Sequence, residues 1–231
     1  MKVRGERECQ SCGARWSYYE TGQITCPECG SVRSVGLDDP TAHTAGTETF
    51  DLTPIRADID DVSLQRLADR AAEEARAYVR DVGFVHAGEL QALDETFLAA
   101  NELRRVASTL GRVMHLEDDE ELYFLALLRG ADQGERPAPG DVPETLYPER
   151  GLAVAASVDV YLSDLRRVFD ERDPDADRVI SSVTAHRKRL EALDGDVDPS
   201  EAEQLVRAVR DVSAYLRKHN ETALARALER L

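Results

Sequence analysis

The chain has 231 residues and a formal net charge of −16, with 45 acidic residues against 29 basic ones, only three of which are lysine. An acid-rich, lysine-poor composition favours a protein from an extreme halophile over an ordinary acidic protein, because molar salt screens charge repulsion beyond about 3 Å. The longest apolar stretches, such as Tyr123–Leu128, are too short to span a bilayer, and residues 1–8 lack the apolar core of a signal peptide, so we expect a cytoplasmic protein without membrane contact.

The four cysteines form two Cys-x-x-Cys pairs, Cys9 with Cys12 and Cys26 with Cys29, and a glycine follows each pair. Two residues between thiolates let a tight turn place both sulfur atoms about 3.5–4 Å apart, as tetrahedral Zn–S bonds of about 2.3 Å require. The glycine allows positive φ, so that backbone N–H groups can turn toward sulfur. The spacing predicts a structural Zn²⁺ held by all four cysteines.

Three other uses of the four cysteines each have requirements of their own, which can be compared with those of a zinc site. A pair of disulfides needs an oxidising compartment, which nothing in the sequence indicates. A thioredoxin-type redox pair needs one Cys-x-x-Cys at a helix start within a βαβ unit, whereas strand-like sequence flanks both pairs here. A rubredoxin-like iron site uses the same four thiolates, so an electron-transfer protein stays open as the alternative.

Residues 1–36 are predicted to form a small β zinc ribbon. Arg15–Tyr19 is rich in aromatic strand formers, Thr21-Gly22 signals a turn, and Gln23–Thr25 leads back to the second cysteine pair. Ser31–Val35 is a third short strand. A segment of about 35 residues cannot bury enough apolar surface to fold alone, so we expect the metal to supply the folding free energy.

The ribbon also differs from the rest of the chain in charge. It carries five basic and four acidic residues, whereas residues 37–231 carry 24 basic and 41 acidic residues. Because four thiolates and Zn²⁺ add −2, the ribbon nets about −1, and we expect it to contact a protein more readily than a nucleic acid. The candidate contact residues, chosen because basic and aromatic groups suit such surfaces, are Arg4, Arg7, Arg15, Tyr19 and Arg33.

Residues 37–57 are polar and rich in proline and threonine, and we interpret them as a linker. From residue 58 apolar residues recur at helical spacing, which predicts about six helices and no convincing strand. The first helix ends before a break at residues 83–88, the second covers residues 90–113, and the third covers Glu120–Arg129. Residues 58–231 are therefore predicted to form an acidic all-α bundle.

Sequence signals also mark the later helices of the predicted bundle. A loop rich in glycine and proline, Gly130–Pro148, precedes the fourth helix, Glu149–Glu171. Asp-Pro dipeptides at residues 173–174 and 198–199 are typical of helix starts, with aspartate as the N-cap and proline at the first helical position. The fifth helix ends near Leu193, and the sixth covers Pro199–Leu231 with a bend near His219.

The sequence contains no catalytic constellation that we recognise. Its histidines are scattered and form no helical metal motif: His43, His86, His115, His186 and His219. Phosphate-binding and dinucleotide-binding glycine motifs and a nucleophile elbow are absent from the sequence. The acidic run at residues 117–121 is typical of a first helical turn, where carboxylates favour the helix dipole. We therefore expect a non-enzymatic protein.

The ribbon sequence resembles that of an uncharacterised haloarchaeal family whose members are described as containing a transcription factor B-type zinc ribbon. The resemblance rests on residues 4–9, on Cys12-Gly13 with residues 16–22, and on Cys26-Pro27-x-Cys29-Gly30-Ser31. It implies Zn²⁺ at the four cysteines and a link to transcription. In the family of transcription factor B itself, two cyclin-like helical repeats follow the ribbon. The predicted helical part of this chain has no clear repeat and no basic DNA-binding surface, so we do not transfer a promoter-binding role.

Overall fold

The structure, a computed structural model, describes residues 1–112 and 116–230. Val113 and His115, at the end of the predicted second helix, and Leu231, at the end of the predicted last helix, lie outside these ranges. Helices dominate the described residues, and most short strands lie near the N terminus. No described helix is long and apolar enough to cross a membrane.

Seven short strands make up three antiparallel sheets in the described ranges. They are β1 (Lys2–Val3), β2 (Glu6–Cys9), β3 (Arg15–Ser17), β4 (Ser34–Gly36), β5 (Thr41–Ala42), β6 (Val85–His86) and β7 (Glu89–Leu90). The ribbon sheet has the order β3-β2-β4, while β1 pairs with β5 and β6 pairs with β7. The pairing of β1 with β5 joins the chain start to the segment that follows the ribbon.

The strands of the ribbon are shorter than the sequence predicts. The predicted strand over Arg15–Tyr19 ends at Ser17, because residues 18–21 form one helical turn that Gly22 closes with a left-handed φ of 63°. Gln23–Thr25 is not a strand. The strand predicted over Ser31–Val35 is β4, which covers Ser34–Gly36.

The part of the chain that the structure describes contains nine helices, where about six are predicted. They are α1 (Tyr18–Thr21), α2 (Thr53–Arg56), α3 (Leu64–Asp81), α4 (Glu95–Leu110), α5 (Asp118–Gly130), α6 (Tyr147–Val168), α7 (Pro174–Ala192), α8 (Pro199–Lys218) and α9 (Glu221–Arg230). Two of the additional helices are single turns. The third arises because His219 takes a left-handed conformation, φ 52° and ψ 39°, which ends α8 rather than bending it.

The prediction of a helical part without strands is also wrong. Residues 85–90 form the hairpin β6–β7, in which Ala87 and Gly88 both have positive φ, as a tight two-residue hairpin turn requires. The helix that follows begins at Glu95 rather than at Leu90. The side chain of Asp94 caps it by accepting the N–H of Phe97 at 2.7 Å.

Two apolar cores stabilise the helical part, one among α6, α7, α8 and the hairpin, the other among α3, α4 and α5. The segment predicted as a linker supplies buried residues to both: Ala42 to the first, and Phe50, Leu52 and Ile55 to the second. Residues 37–57 therefore pack against the helices over part of their length. The division of the chain into domains stays a prediction.

A buried ionic network connects the helices. Arg150 of α6 is 2 % exposed and donates through Nη1 to both carboxylate oxygens of Glu102 of α4, at 2.7 and 2.8 Å, while Glu102 is fully buried. The hydroxyl of Tyr123 of α5 donates to the same carboxylate. Arg150 also reaches Glu203 of α8 at 2.8 Å, and Arg136 lies 3.4 Å from Glu102 and 3.1 Å from Glu203.

The network balances two arginines against two glutamates, which is the condition for burying charge at acceptable cost. Burial lowers the pKa of Arg150, but the carboxylate of Glu102 outweighs it, so the pKa of Arg150 rises. Burial and the charge of Glu102 raise the pKa of Tyr123, which keeps its hydroxyl protonated as a donor. We therefore expect the network to hold α4, α5, α6 and α8 in register.

Replacing Arg150→Met is expected to lower the free energy of unfolding by about 3–5 kcal/mol, because it leaves Glu102 buried without its main cation. Arg178→Met is the matched control: Arg178 forms an exposed ion pair with Asp175 at 2.8 Å, so its loss is expected to cost under about 1 kcal/mol. Urea unfolding of both variants measures the difference. Equal effects of the two substitutions would contradict the role of the network.

Candidate metal centre

The two cysteine pairs sit on two closely similar backbone turns. In the first, the N–H of Gly13 donates to the carbonyl of Cys9 at 3.0 Å, and in the second, the N–H of Gly30 donates to the carbonyl of Cys26 at 2.9 Å. Both glycines have positive φ, 78° and 70°, as the sequence predicts. The N–H groups of Cys9 and Cys26 close the turns with bonds of 2.8 and 2.9 Å to the carbonyls five residues on.

These turns bring all four sulfur atoms together. Every Sγ lies within 4.8 Å of the others, and the Cys9–Cys29 and Cys12–Cys26 distances are both 3.6 Å. Tetrahedral metal–sulfur bonds of about 2.3 Å place sulfurs about 3.8 Å apart, whereas a disulfide needs about 2.0 Å. The four cysteines are free, and their spacing fits one metal ion held by four thiolates.

The surroundings of the sulfurs combine a small apolar core with backbone donors. Cys9 and Cys26 are 1 % and 2 % exposed, and Trp16 packs with them, while Cys12 and Cys29 lie at the surface. The N–H of Ser11 points at Cys9 Sγ from 3.3 Å, in line with the prediction that backbone N–H groups turn toward sulfur. Three buried residues form a core too small to hold a ribbon of this length without a metal.

The four thiols cannot ionise together without a cation. Burial opposes ionisation of Cys9, but backbone N–H groups of Ser11 and Cys12 and neighbouring thiols outweigh it and lower its pKa to about 6. The N–H of Ala14 favours the Cys12 thiolate, yet hydrogen bonds with Cys29 and burial raise the pKa of Cys12 to about 12. A dication placed among the sulfurs would supply the charge that four thiolates require.

Three of the four basic residues predicted to contact a partner are engaged within the chain. Arg7 donates to the hydroxyl of Ser34 at 2.9 and 3.1 Å, Arg15 forms a 2.6 Å ion pair with a glutamate of β2, and Arg4 donates to a main-chain carbonyl. Arg33 is exposed, and its side chain has no hydrogen bond or ion pair with any described residue. The basic residues therefore do not form one continuous free surface.

Tyr19, the predicted aromatic contact residue, lies where the ribbon meets the helical part. Its ring centre is 4.8 Å from that of His43 and 5.7 Å from that of His86. The ring also covers Gly5 so closely that a Cβ at this glycine would come within 1.9 Å of it. Tyr19 is half-buried on α1, so it does not share an exposed strand face with Arg15.

His43 is the most buried member of this junction, with 7 % of its surface exposed. Its Nδ1 accepts the N–H of Ala87 at the hairpin turn, 3.3 Å away, and its ring centre is 5.3 Å from that of His86. Burial, followed by the charge of His86, lowers the pKa of His43. The junction is therefore built around a neutral histidine.

Comparisons with known proteins identify one family. The model of a family of unknown function, DUF7117, matches residues 1–231. No curated protein and no solved structure matches the chain. The family match covers the ribbon and the helical part together, so both belong to the unit that defines the family.

Replacing Cys26→Ser is expected to abolish metal binding and to expose the backbone amides of residues 6–36 to hydrogen exchange, because the ribbon core cannot hold the fold alone. Ser11→Ala is the matched control, since it removes an exposed hydroxyl but keeps the N–H that points at Cys9. Elemental analysis and hydrogen exchange on both variants measure the effect. A Cys26→Ser protein with a full complement of metal would contradict the assignment of ligands.

Stability is expected to fall as the pH drops below about 6.5, because unfolded His43 then takes up a proton that the folded histidine, with its lowered pKa, does not. Above that pH both states are neutral at this position and the contribution is constant. His43→Gln keeps an acceptor for the Ala87 N–H and is expected to lose less stability between about pH 7.5 and about pH 5.5. Equal losses in both proteins, measured by urea unfolding, would contradict this.

Proposed function

We propose that this chain, which belongs to the DUF7117 family of unknown function, is a non-enzymatic zinc protein whose ribbon binds a partner protein. The observation that carries the proposal is the convergence of four free thiols within 4.8 Å on paired glycine turns. Tetrahedral sites of four sulfurs are typical of zinc or iron, and zinc in such sites is structural.

The donor set supports a structural rather than a catalytic ion. Four protein ligands complete a tetrahedral shell, so the metal has no open position for water or substrate. The ribbon core has three buried residues, Cys9, Trp16 and Cys26, and two of these are ligands. We therefore assign Zn²⁺ the role of stabilising the ribbon, so that the ribbon can present its surface to a partner.

The surface of the ribbon favours a protein partner over a nucleic acid. Four of the nine large hydrophobic residues that are exposed within the described ranges lie in residues 1–36: Met1, Ile24, Val32 and Val35. Exposed aliphatic groups mark protein contacts, whereas nucleic-acid surfaces need free basic groups, and most basic side chains here are engaged. A protein of the transcription machinery, which the transcription factor B resemblance implies, is the partner class that we propose.

A rubredoxin-like iron protein that transfers electrons remains the alternative function. It rests on the same four thiolates, which suit iron as well as zinc. Cys12 and Cys29 lie at the surface, which would place an iron ion within short range of an electron acceptor. The metal content of the purified protein separates the two functions.

Val32→Asp is expected to reduce capture of the partner by about tenfold or more, because it places a charge at the most exposed hydrophobic residue of the ribbon, 74 % exposed. Leu193→Asp is the matched control, since Leu193 is 43 % exposed and lies at the end of α7. Affinity capture with the tagged full chain from a lysate of the source cells, quantified by mass spectrometry, compares the proteins. A partner retained by Val32→Asp, or lost equally in both variants, would contradict the proposal.

A further inference from the structure

Four arginines converge on one concave surface of the helical part, away from the ribbon. Arg76 lies on α3, Arg104 and Arg105 lie on α4, and Arg112 follows the end of α4. Together with Ser108, Thr109 and Glu149 they line a pocket of about 300 Å³. In a chain of net charge −16, a concentration of positive charge at one pocket requires an explanation.

The charges in this pocket are not balanced by carboxylates. Arg105 lies 3.8 Å from Glu149, and Glu149 also accepts the hydroxyl of Thr109 at 2.6 Å. Arg104 donates to the amide oxygen of Asn101 at 3.2 Å. Across residues 1–112 and 116–230, Arg76, Arg104 and Arg112 form no ion pair, so four guanidinium groups face one carboxylate.

The excess of positive charge in the pocket is unfavourable when no ligand is bound. The Nε atoms of Arg104 and Arg105 are buried and have no hydrogen-bond partner among the described residues, but the same holds for three ion-paired arginines elsewhere in the chain: Arg136, Arg150 and Arg187. The feature that sets this pocket apart is the repulsion among its like charges. Burial, followed by the positive charges of Arg105 and Arg76, lowers the pKa of Arg104. By contrast, half-buried Arg56 is paired with Asp132 at 2.7 Å. An anion in the pocket would satisfy these donors and relieve the repulsion.

We propose that this arginine pocket binds the phosphate group of a small phosphorylated ligand. Guanidinium groups donate in a planar fork that matches phosphate oxygens. The hydroxyls of Ser108 and Thr109 already donate within the protein, so the arginines provide the recognition. The pocket volume is at the lower end of the range for small-molecule sites, which suits a phosphate with a small organic group.

The charge around the pocket favours a small ligand over a nucleic-acid strand. Residues 37–231 carry 41 acidic and 24 basic residues, so we expect the net negative charge of this part of the chain to repel a long polyanion. A small ligand contacts the arginines alone. The Glu149 carboxylate limits the pocket on one side and restricts how much negative charge the pocket accepts.

The test is titration of the full-length protein with inorganic phosphate and with ribose 5-phosphate at constant ionic strength, followed by calorimetry and ³¹P nuclear magnetic resonance. We expect saturable binding of a phosphate group, and the relative affinities tell whether free phosphate or a phosphate ester is preferred. Arg104→Gln is expected to weaken binding by about tenfold or more. Arg207→Gln, which changes an exposed arginine of α8 outside the pocket, is expected to bind as the wild type does.

Two further results separate a binding role from a structural one. In the absence of phosphate, Arg104→Gln is expected to raise the melting temperature, because it removes one of the crowded charges. Glu149→Gln is expected to tighten phosphate binding several-fold, a gain that damage to the fold would not produce. No saturable binding, equal binding by Arg104→Gln, or binding of an RNA strand of about twelve nucleotides without binding of either phosphate probe would overturn the proposal.

Discussion

The convergence of four thiols is the constraint on which the N-terminal part of the molecule depends. Two glycine turns hold the sulfurs at tetrahedral spacing, although the apolar core of the ribbon consists of Trp16 and two of the cysteines themselves. The pKa of Cys9 is lowered and the pKa of Cys12 is raised, which shows that the four neighbouring thiols do not ionise independently. Four neighbouring thiolates need a cation. A metal ion held by the four cysteines would balance this charge and supply folding free energy to the ribbon, whose Tyr19 packs against His43 at the edge of the helical part.

In the helical part, buried charges are paired at one site and left in excess at another. The network of Glu102, Arg150 and their neighbours pairs its arginines with carboxylates at short distances, so it serves the packing of four helices. The arginine pocket around Arg104 keeps an excess of positive charge, because four arginines and one glutamate line it. An acidic chain offers many carboxylates that would neutralise it, and this is why we propose a ligand rather than a packing role for the pocket.

Local signals in the sequence predicted the features that local chemistry decides. The spacing of the cysteines predicted the four-sulfur cluster, and the caps at Asp173 and Asp198 are confirmed by side-chain hydrogen bonds to the first helical turns. The hairpin at residues 85–90 was missed because two-residue strands show no periodicity, and the helix end at His219 because a left-handed histidine has a weak local signal. The sequence could not predict the Glu102–Arg150 pair, because 48 residues separate the two side chains. In the sequence, each resembles an ordinary charged residue on the solvated face of a helix.

The metal content and visible spectrum of the full-length protein, purified without added metal, test the central claim most directly. We expect one zinc ion per chain and a colourless protein, because four thiolates on two glycine turns suit a closed structural zinc site. One iron ion per chain with absorbance in the visible range would contradict the zinc assignment and favour electron transfer. A folded ribbon that contains no metal at all would contradict the dependence of the ribbon on its four thiols.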